Sequence, residues 1–331
     1  MPRPSGFYDP PVATQEGIDP DASTEAQPLT TRAPVPTSRT AFGTSAELPL
    51  PPVSLRFMGE DDAQYLAIGR GLADLLGEFG LTDDSRMLDV GCGYGRLAIG
   101  ILGSRRFRGT YLGFDILRGH IRWCRESITR AFPNVRFEVL NLHNERYNPA
   151  GRLDPTTARF PARSGSMDLC AATSVFTHLD LPTTEHYLDE IRRVLRPGGV
   201  AVTTWFIYDD ARLPAATSDQ SKFPMRTQVG AVNRIAFPEE PLKAIGYDEA
   251  YVRTSVVAAG LAVVTIEHGR WDGSASGRTT QDLVVLRREG GPSFRDRVGD
   301  TVAAIRGLLR RVRRRLGRVW RPFRAAVRGR G

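Results

Sequence analysis

Met87-Leu88-Asp89-Val90-Gly91-Cys92-Gly93-Tyr94-Gly95-Arg96-Leu97-Ala98 is the stretch from which the rest of the chain is best read. The residues up to Val90 suit a short buried strand, glycine then stands at every second position, and Arg96-Leu97-Ala98 begins a helix. Glycine at 91, 93 and 95 lets the backbone take open dihedrals and lets a ligand press against the main chain, with Cys92 carried in the same turn. Asp89, at the strand end, is placed to fix the loop or to reach a cationic ligand group. A glycine loop alone is a weak signal, and the spacing narrows it. A dinucleotide fingerprint needs a third glycine one residue later, where this chain has Arg96. A Walker-type phosphate loop needs Lys followed by Ser or Thr, and the turn has neither.

The charge is distributed unevenly along the 331 residues, whose formal net charge is +8. From Ser293 onward thirteen Arg stand against Asp296 and Asp300, a net of +11, which leaves about −3 for residues 1–292. The basic character therefore belongs to a tail. Three cysteines, Cys92, Cys124 and Cys170, fall in expected core elements without metal-ligand spacing, which suggests reduced thiols and no metal site. No signal-peptide core opens the chain, and no run approaches the ~20 apolar residues that span a bilayer. A soluble, cytoplasmic body is expected.

Residues 1–50, rich in Pro, Thr, Ser and Ala without hydrophobic period, are expected to be disordered. Residues 51–290 read as one domain and 291–331 as an Arg-rich amphipathic tail. After the candidate caps Asp61 and Asp62, Tyr65, Ile68, Leu72, Leu75 and Phe79 recur at helical spacing. Strands are expected over 86–90, 110–115, 135–140, 167–172 and 199–206, and helices over 95–102, 117–131 and 183–195. This alternation predicts a parallel sheet covered on both faces. A stretch read as irregular (207–246) precedes a helix near 247–259 and two β-rich runs, 261–268 and 281–287. The glycine-rich 269–279 that joins them, eleven residues, is too short for a helical crossover, so they should pair antiparallel.

Ligands of open α/β sheets bind beyond the carboxyl ends of the parallel strands. Asp115, about 20 positions past the glycine loop, suits the hydroxyls of a ribose, or alternatively the cap of the next helix. Ile116 follows it. Asn141 and Asn144 can each simply form turns. His178, whose ordinary pKa lies near neutrality, could remove a proton from an acceptor, or could be a turn histidine bonded to a carbonyl. His186 reads as standing on a solvated helix face.

The Asp-x-Gly-x-Gly-x-Gly spacing resembles motif I of class I S-adenosylmethionine (SAM)-dependent methyltransferases. Thr173–Leu179, with Tyr187–Gly199, is similar to the fourth and fifth motifs of that family. Over roughly 53–288 the chain resembles most a bacterial subgroup carrying Tyr147-Asn148-Pro149, Ser174-Val175-Phe176-Thr177-His178-Leu179 and Gln281-Asp282-Leu283-Val284-Val285. The resemblance implies SAM as cofactor and a Rossmann-like, seven-stranded, mostly parallel sheet ending in an antiparallel hairpin. It places Asp89, Gly91, Cys92, Gly93, Gly95, Asp115, Ile116, Asn141, Leu142 and Ser174 around the cofactor. Tyr147, Thr177 and Gln281 fall toward the acceptor, with His178 as the candidate catalytic base. If the last pair of strands is antiparallel, Gly269–Gln281 lies on the same sheet edge as the glycine loop. Trp205 and Trp271 would then line the acceptor pocket, unless either is core. The acceptor expected is a small molecule, on the oxygen of a saccharide, glycolipid or polysaccharide precursor.

In the tail, Phe294, Val298, Val302, Ile305, Leu309, Val312, Leu316, Val319 and Phe323 form a helical stripe among Arg310, Arg311, Arg313, Arg314, Arg315 and Arg318. Such a pattern over 294–328 suits an anionic membrane surface, placing the protein peripherally at the inner face, where lipid-linked acceptors lie. A nucleic-acid methyltransferase using the tail for phosphate contacts is a rival reading, as is a SAM-binding tether without catalysis. Nucleic acid fits less well: no Asn/Asp-Pro-Pro-Tyr motif follows the fourth strand and no cysteine follows a proline.

Overall fold

A computed structural model describes residues 48–56 and 59–290. The expected disorder of residues 1–50, apart from the last three, and the expected helical tail over 291–331 both lie outside the described residues. Helix α1 (Asp62–Glu78) starts where Asp61 accepts the Gln64 N–H at 2.7 Å, so Asp61 is the cap. Strand β1 (Arg86–Val90) leads through the glycine turn into α2 (Arg96–Ser104), followed by β2 (Thr110–Asp115), α3 (Arg118–Cys124) and β3 (Val135–Val139). Then come β4 (Met167–Ala172), α4 (Leu181–Val194) and β5 (Leu195–Trp205). Where one helix was expected over 117–131, α3 gives way to a π-helical turn at Arg125–Thr129. That turn carries Ile128 against Gly95, where a Cβ would lie 2.6 Å from Ile128 Cδ1.

The stretch read as irregular is structured. It holds β6 (Ile207–Tyr208), α5 (Leu213–Ala216), β7 (Thr227–Gln228), β8 (Asn233–Ile235) and β9 (Ile245–Asp248). The four strands form a small sheet in the order β6-β9-β8-β7. Its own core comprises Phe206, Tyr208, Ala216, Met225, Ala244 and Trp271. Helix α6 (Glu249–Ala258), capped by Asp248, leads to β10 (Leu261–Glu267) and β11 (Asp282–Arg288).

The main sheet runs β10-β11-β5-β4-β1-β2-β3. The five strands β1 to β5 are parallel, while β11 is antiparallel to both β5 and β10. Successive strand residues face opposite sides, so a sheet covered twice must be apolar at both parities. Leu88 and Val90 belong to the core under α4 and α6, whereas Met87 belongs to the core under α1, α2 and α3. Cys170 and Ala172 split from Leu169 and Ala171 in the same way. All three cysteines are buried free thiols.

Helices α1 and α2 approach through glycine. A Cβ on Gly100 would stand 2.0 Å from the Gly69 carbonyl oxygen, so the two backbones touch there. Replacing Gly100 with alanine is expected to cost about 3 kcal/mol, since the clash is with main chain rather than a movable side chain. Thermal unfolding checks this, and a melting temperature within 2 °C of wild type (roughly the noise expected for such a comparison) would contradict the close approach.

Candidate active site

The carboxyl ends of β1 to β5 gather the segments that carry polar chemistry. Gly91 N–H and Cys92 N–H both donate to the Phe114 carbonyl at 2.9 and 3.1 Å, binding the glycine turn to the end of β2. Gly91, Gly93 and Gly95 have φ of +68°, +53° and +72°, the left-handed region that disfavours a Cβ. The turn is packed on one side and open on the other. A Cβ at Gly91 would meet Val175 Cγ2 at 2.7 Å, but one at Gly93 would meet nothing within 4 Å.

Asp115 binds main chain on both sides of the strand end and is not the cap of the next helix, a position held by Leu117. Its Oδ2 accepts the Gly93 N–H and its Oδ1 the Leu117 N–H, each at 2.9 Å, so it staples the glycine turn to the turn that precedes α3. An ionised carboxylate offers about four acceptor positions, and these two bonds leave the others for a ligand. Asp89 is buried and accepts from the Tyr111 hydroxyl on the neighbouring strand. Burial pushes its pKa up to about 7, against the opposing Tyr111 bond and the Arg96 charge. Asp89 therefore fixes the sheet under the loop. Tyr94, in the turn itself, lies against His120 with ring centroids 4.0 Å apart, a contact that no spacing in the sequence announces.

After β3, Asn144 is a turn former. Its Oδ1 accepts from the N–H groups of Arg146 and Tyr147 at 3.0 and 2.9 Å. Asn141 Oδ1 accepts from Asn148 Nδ2 at 3.1 Å, and Asn148 also reaches the Leu142 carbonyl at 2.8 Å. Leu142 is buried, and Ile116 packs against the core under α4 and α6.

After β4, a single 3₁₀ turn (Phe176–His178) brings His178 to Tyr147, with ring centroids 5.7 Å apart at 76°. His178 Nδ1 lies 3.1 Å from the Leu242 carbonyl. A carbonyl only accepts, so Nδ1 carries the proton and Nε2 keeps a lone pair. Desolvation, with a smaller contribution from the Arg146 charge, lowers the His178 pKa to about 4. The imidazole is thus neutral throughout the physiological range. Glu240 bridges Arg146 at 2.5 Å and Lys243 at 2.8 Å, joining the post-β3 loop to the segment that holds Leu242. Sequence reasoning missed Glu240 because its partner lies 94 residues away.

Several expected pocket residues are placed otherwise. Trp205 is fully buried, stacked on Phe176 at 4.0 Å, and donates Nε1–H to Thr203 Oγ1 at 2.7 Å. Trp271 is fully buried in the core of the small sheet and donates to Asp282 Oδ2 at 2.6 Å. Both rings are core and present no face to an acceptor. Thr177 is also fully buried, its Oγ1 without a hydrogen-bond partner. His186 is tied down, its Nε2 2.7 Å from the Ala158 carbonyl. The hairpin geometry does place the 269–281 connection at the ligand edge, since Asp282 pairs with Trp205 at the end of β5. Ser174 and Gln281 meet there at 3.1 Å. Among the described residues, no group of three His, Cys, Asp or Glu is arranged to hold a metal.

Residues 88–203 match the family model described as "Methyltransferase domain". Over residues 88–203 the chain carries a SAM-dependent methyltransferase domain. SAM is the cofactor this domain implies, and the open face at Gly93 beside the spare acceptor positions of Asp115 fits an adenosyl ligand. Over 136 residues the chain is 33% identical to the curated fatty-acid O-methyltransferase of Mycolicibacterium smegmatis. That match takes in 40% of this chain and 39% of the relative, so the chain spans well under half the length of the curated relative it matches. Among solved structures, the [4+2]-cyclase SpnF is 17% identical with a TM-score of 0.44, covering 67% of this chain and 81% of that one. A SAM-dependent methyltransferase from Mesorhizobium loti is 14% identical with a TM-score of 0.45, covering 66% of this chain and all of that one.

Proposed function

We propose that the chain transfers a methyl group from SAM to an oxygen of a small-molecule acceptor. The observation that supports this reading is the neutral His178 ring beside Tyr147, its Nδ1 bonded to the Leu242 carbonyl. SAM, when bound, supplies a methyl carbon already electrophilic through its sulfonium. The residues of the chain then have to align the acceptor, exclude water and take up one proton. Removing a proton is needed for a hydroxyl acceptor. A saccharide, glycolipid or polysaccharide precursor supplies such hydroxyls.

A second reading, methylation of a carboxylic acid, is favoured by the fatty-acid O-methyltransferase relative. A carboxylate needs no base, which separates the two. In either case the Arg-rich tail holds the enzyme at an anionic membrane, each basic group contributing about 1 kcal/mol near the surface. No described helix is long and apolar enough to cross a membrane.

The test is to incubate the full chain with methyl-labelled SAM and whole-cell extract and to fractionate the product. Label in the lipid or sugar fraction is expected, and label confined to nucleic acid would overturn the proposal. Flotation with vesicles tests the tail: binding to anionic but not neutral vesicles is expected, and equal binding to both, or to neither, rejects the membrane role.

A further inference from the structure

Ser174, at the end of β4, is the one non-glycine residue with positive φ (+56°) among the described residues. A serine held there is strained and persists only where its surroundings over-determine it. The surroundings are three hydrogen bonds. Ser174 N–H donates to Thr204 Oγ1 on β5 at 2.7 Å, and its hydroxyl donates to Gln281 Oε1 at 3.1 Å. Thr204 Oγ1 lies 2.5 Å from the same Gln281 oxygen. Having accepted a main-chain N–H, Thr204 has its own proton to give. A separation of 2.5 Å suits O–H···O and is too short for N–H···O, so the amide oxygen faces the two hydroxyls. Gln281 Nε2 is therefore turned the other way. It is neither paired nor sealed among the described residues. Next to Ser174, the Val175 side chain packs on the Gly91 turn, which sets this network beside the cofactor loop.

We propose that Gln281 is a positioning residue that donates an amide N–H to the nucleophilic oxygen of the acceptor, and that this donor selects oxygen over nitrogen. The inference rests on the methyl-transfer reading given above. Attack on a methyl carbon uses one lone pair. A hydroxyl or carboxylate oxygen keeps a second with which to accept the N–H, while a neutral amine has only one and cannot do both. The new O–C bond forms as the S–C bond breaks, with the bonding pair staying on sulfur. For a hydroxyl, the proton goes to His178 Nε2. The Ser174 and Thr204 hydroxyls, both on the Gln281 amide oxygen, keep the amide from flipping.

The test uses the full chain, ¹³C-methyl SAM and a chloroform–methanol extract of Mycolicibacterium smegmatis, the organism of the curated relative. Gln281→Glu keeps the shape and an oxygen for both hydroxyls but replaces the donor with an acceptor, and Gln281→Leu removes the amide. Both are expected to slow methyl transfer about 10- to 100-fold, as loss of one aligned donor does. Their calorimetric affinity for SAM and their melting temperature should stay at wild-type values. Thr204→Val, which frees the amide to rotate, should give an intermediate loss. The labelled wild-type product should show the carbon shift of an O-methyl group. Rates within twofold of wild type, SAM affinity lost in step with rate, or an N-methyl product would each overturn the proposal. A wild type that binds SAM and labels nothing in any extract would instead defeat the methyl-transfer reading, and this inference with it.

Discussion

Replacing His178 with alanine is expected to lower kcat on a hydroxyl acceptor about 10²- to 10⁴-fold, the usual contribution of a positioned general base. SAM affinity should stay near wild type, because the ring sits on the post-β4 turn against Tyr147 and is not part of the glycine loop. The pH dependence carries a second signature. Burial, with the Arg146 charge adding to it, lowers the His178 pKa to about 4, so Nε2 is already deprotonated at pH 5 and above. The wild-type rate should therefore be flat from about pH 5 to 8, without the inflection near 6.5 that an ordinary histidine gives. Stability follows the same group. The unfolded chain binds its proton near pH 6.5 and the folded one only near 4, so native stability is lost as pH falls through that window. The alanine variant should lose that part of the slope. On a carboxylate acceptor the substitution should cost no more than a few fold, which makes it the discriminator between the two acceptor classes. A hydroxyl acceptor turned over at the wild-type rate by the variant would remove His178 from the chemistry.

The second large effect falls on the cofactor. Asp115→Ala should weaken SAM binding by about 10²- to 10⁴-fold, the loss expected from two charge-assisted hydrogen bonds. The residue also holds the Gly93 and Leu117 N–H groups at 2.9 Å, so alanine loosens the loop as well as removing acceptors. Asp115→Asn separates the two roles. It keeps one oxygen for a staple and replaces the other with a donor, which a ribose pair of hydroxyls tolerates poorly. Affinity lost in both variants with unchanged melting temperature supports direct contact. Affinity within a few fold of wild type in the alanine variant would take Asp115 out of the site.

The sheet was legible because its signals are local. All seven main strands lie within a few residues of their expected positions, since each carries an apolar run and a turn signal of its own. The π-helical turn at Arg125–Thr129 was not legible, because nothing in a helical period distinguishes a widened turn from a regular one. The four-stranded sheet between Ile207 and Asp248 was missed for a different reason. Strands of two to four residues are too short to show alternation, and this sheet depends on a core shared with Trp271, far along the chain. The same distance explains the tryptophans. Composition marks Trp205 and Trp271 as large aromatic surfaces near the ligand edge, and only packing reveals that Phe176 and Phe206 cover them. At the site, glycine spacing and the acidic residue after β2 were readable from the sequence. The tautomer of His178 and the orientation of the Gln281 amide were not, because each is set by a partner more than 60 residues away.

The central claim is that the turn at Gly91–Gly95, closed by Asp115, accommodates an adenosyl sulfonium. Titrating SAM into the full wild-type chain by calorimetry tests it most directly. One-to-one binding, competed by S-adenosylhomocysteine and indifferent to NAD and ATP, is the predicted result. No heat with SAM, or binding of a phosphorylated nucleotide in its place, would contradict it.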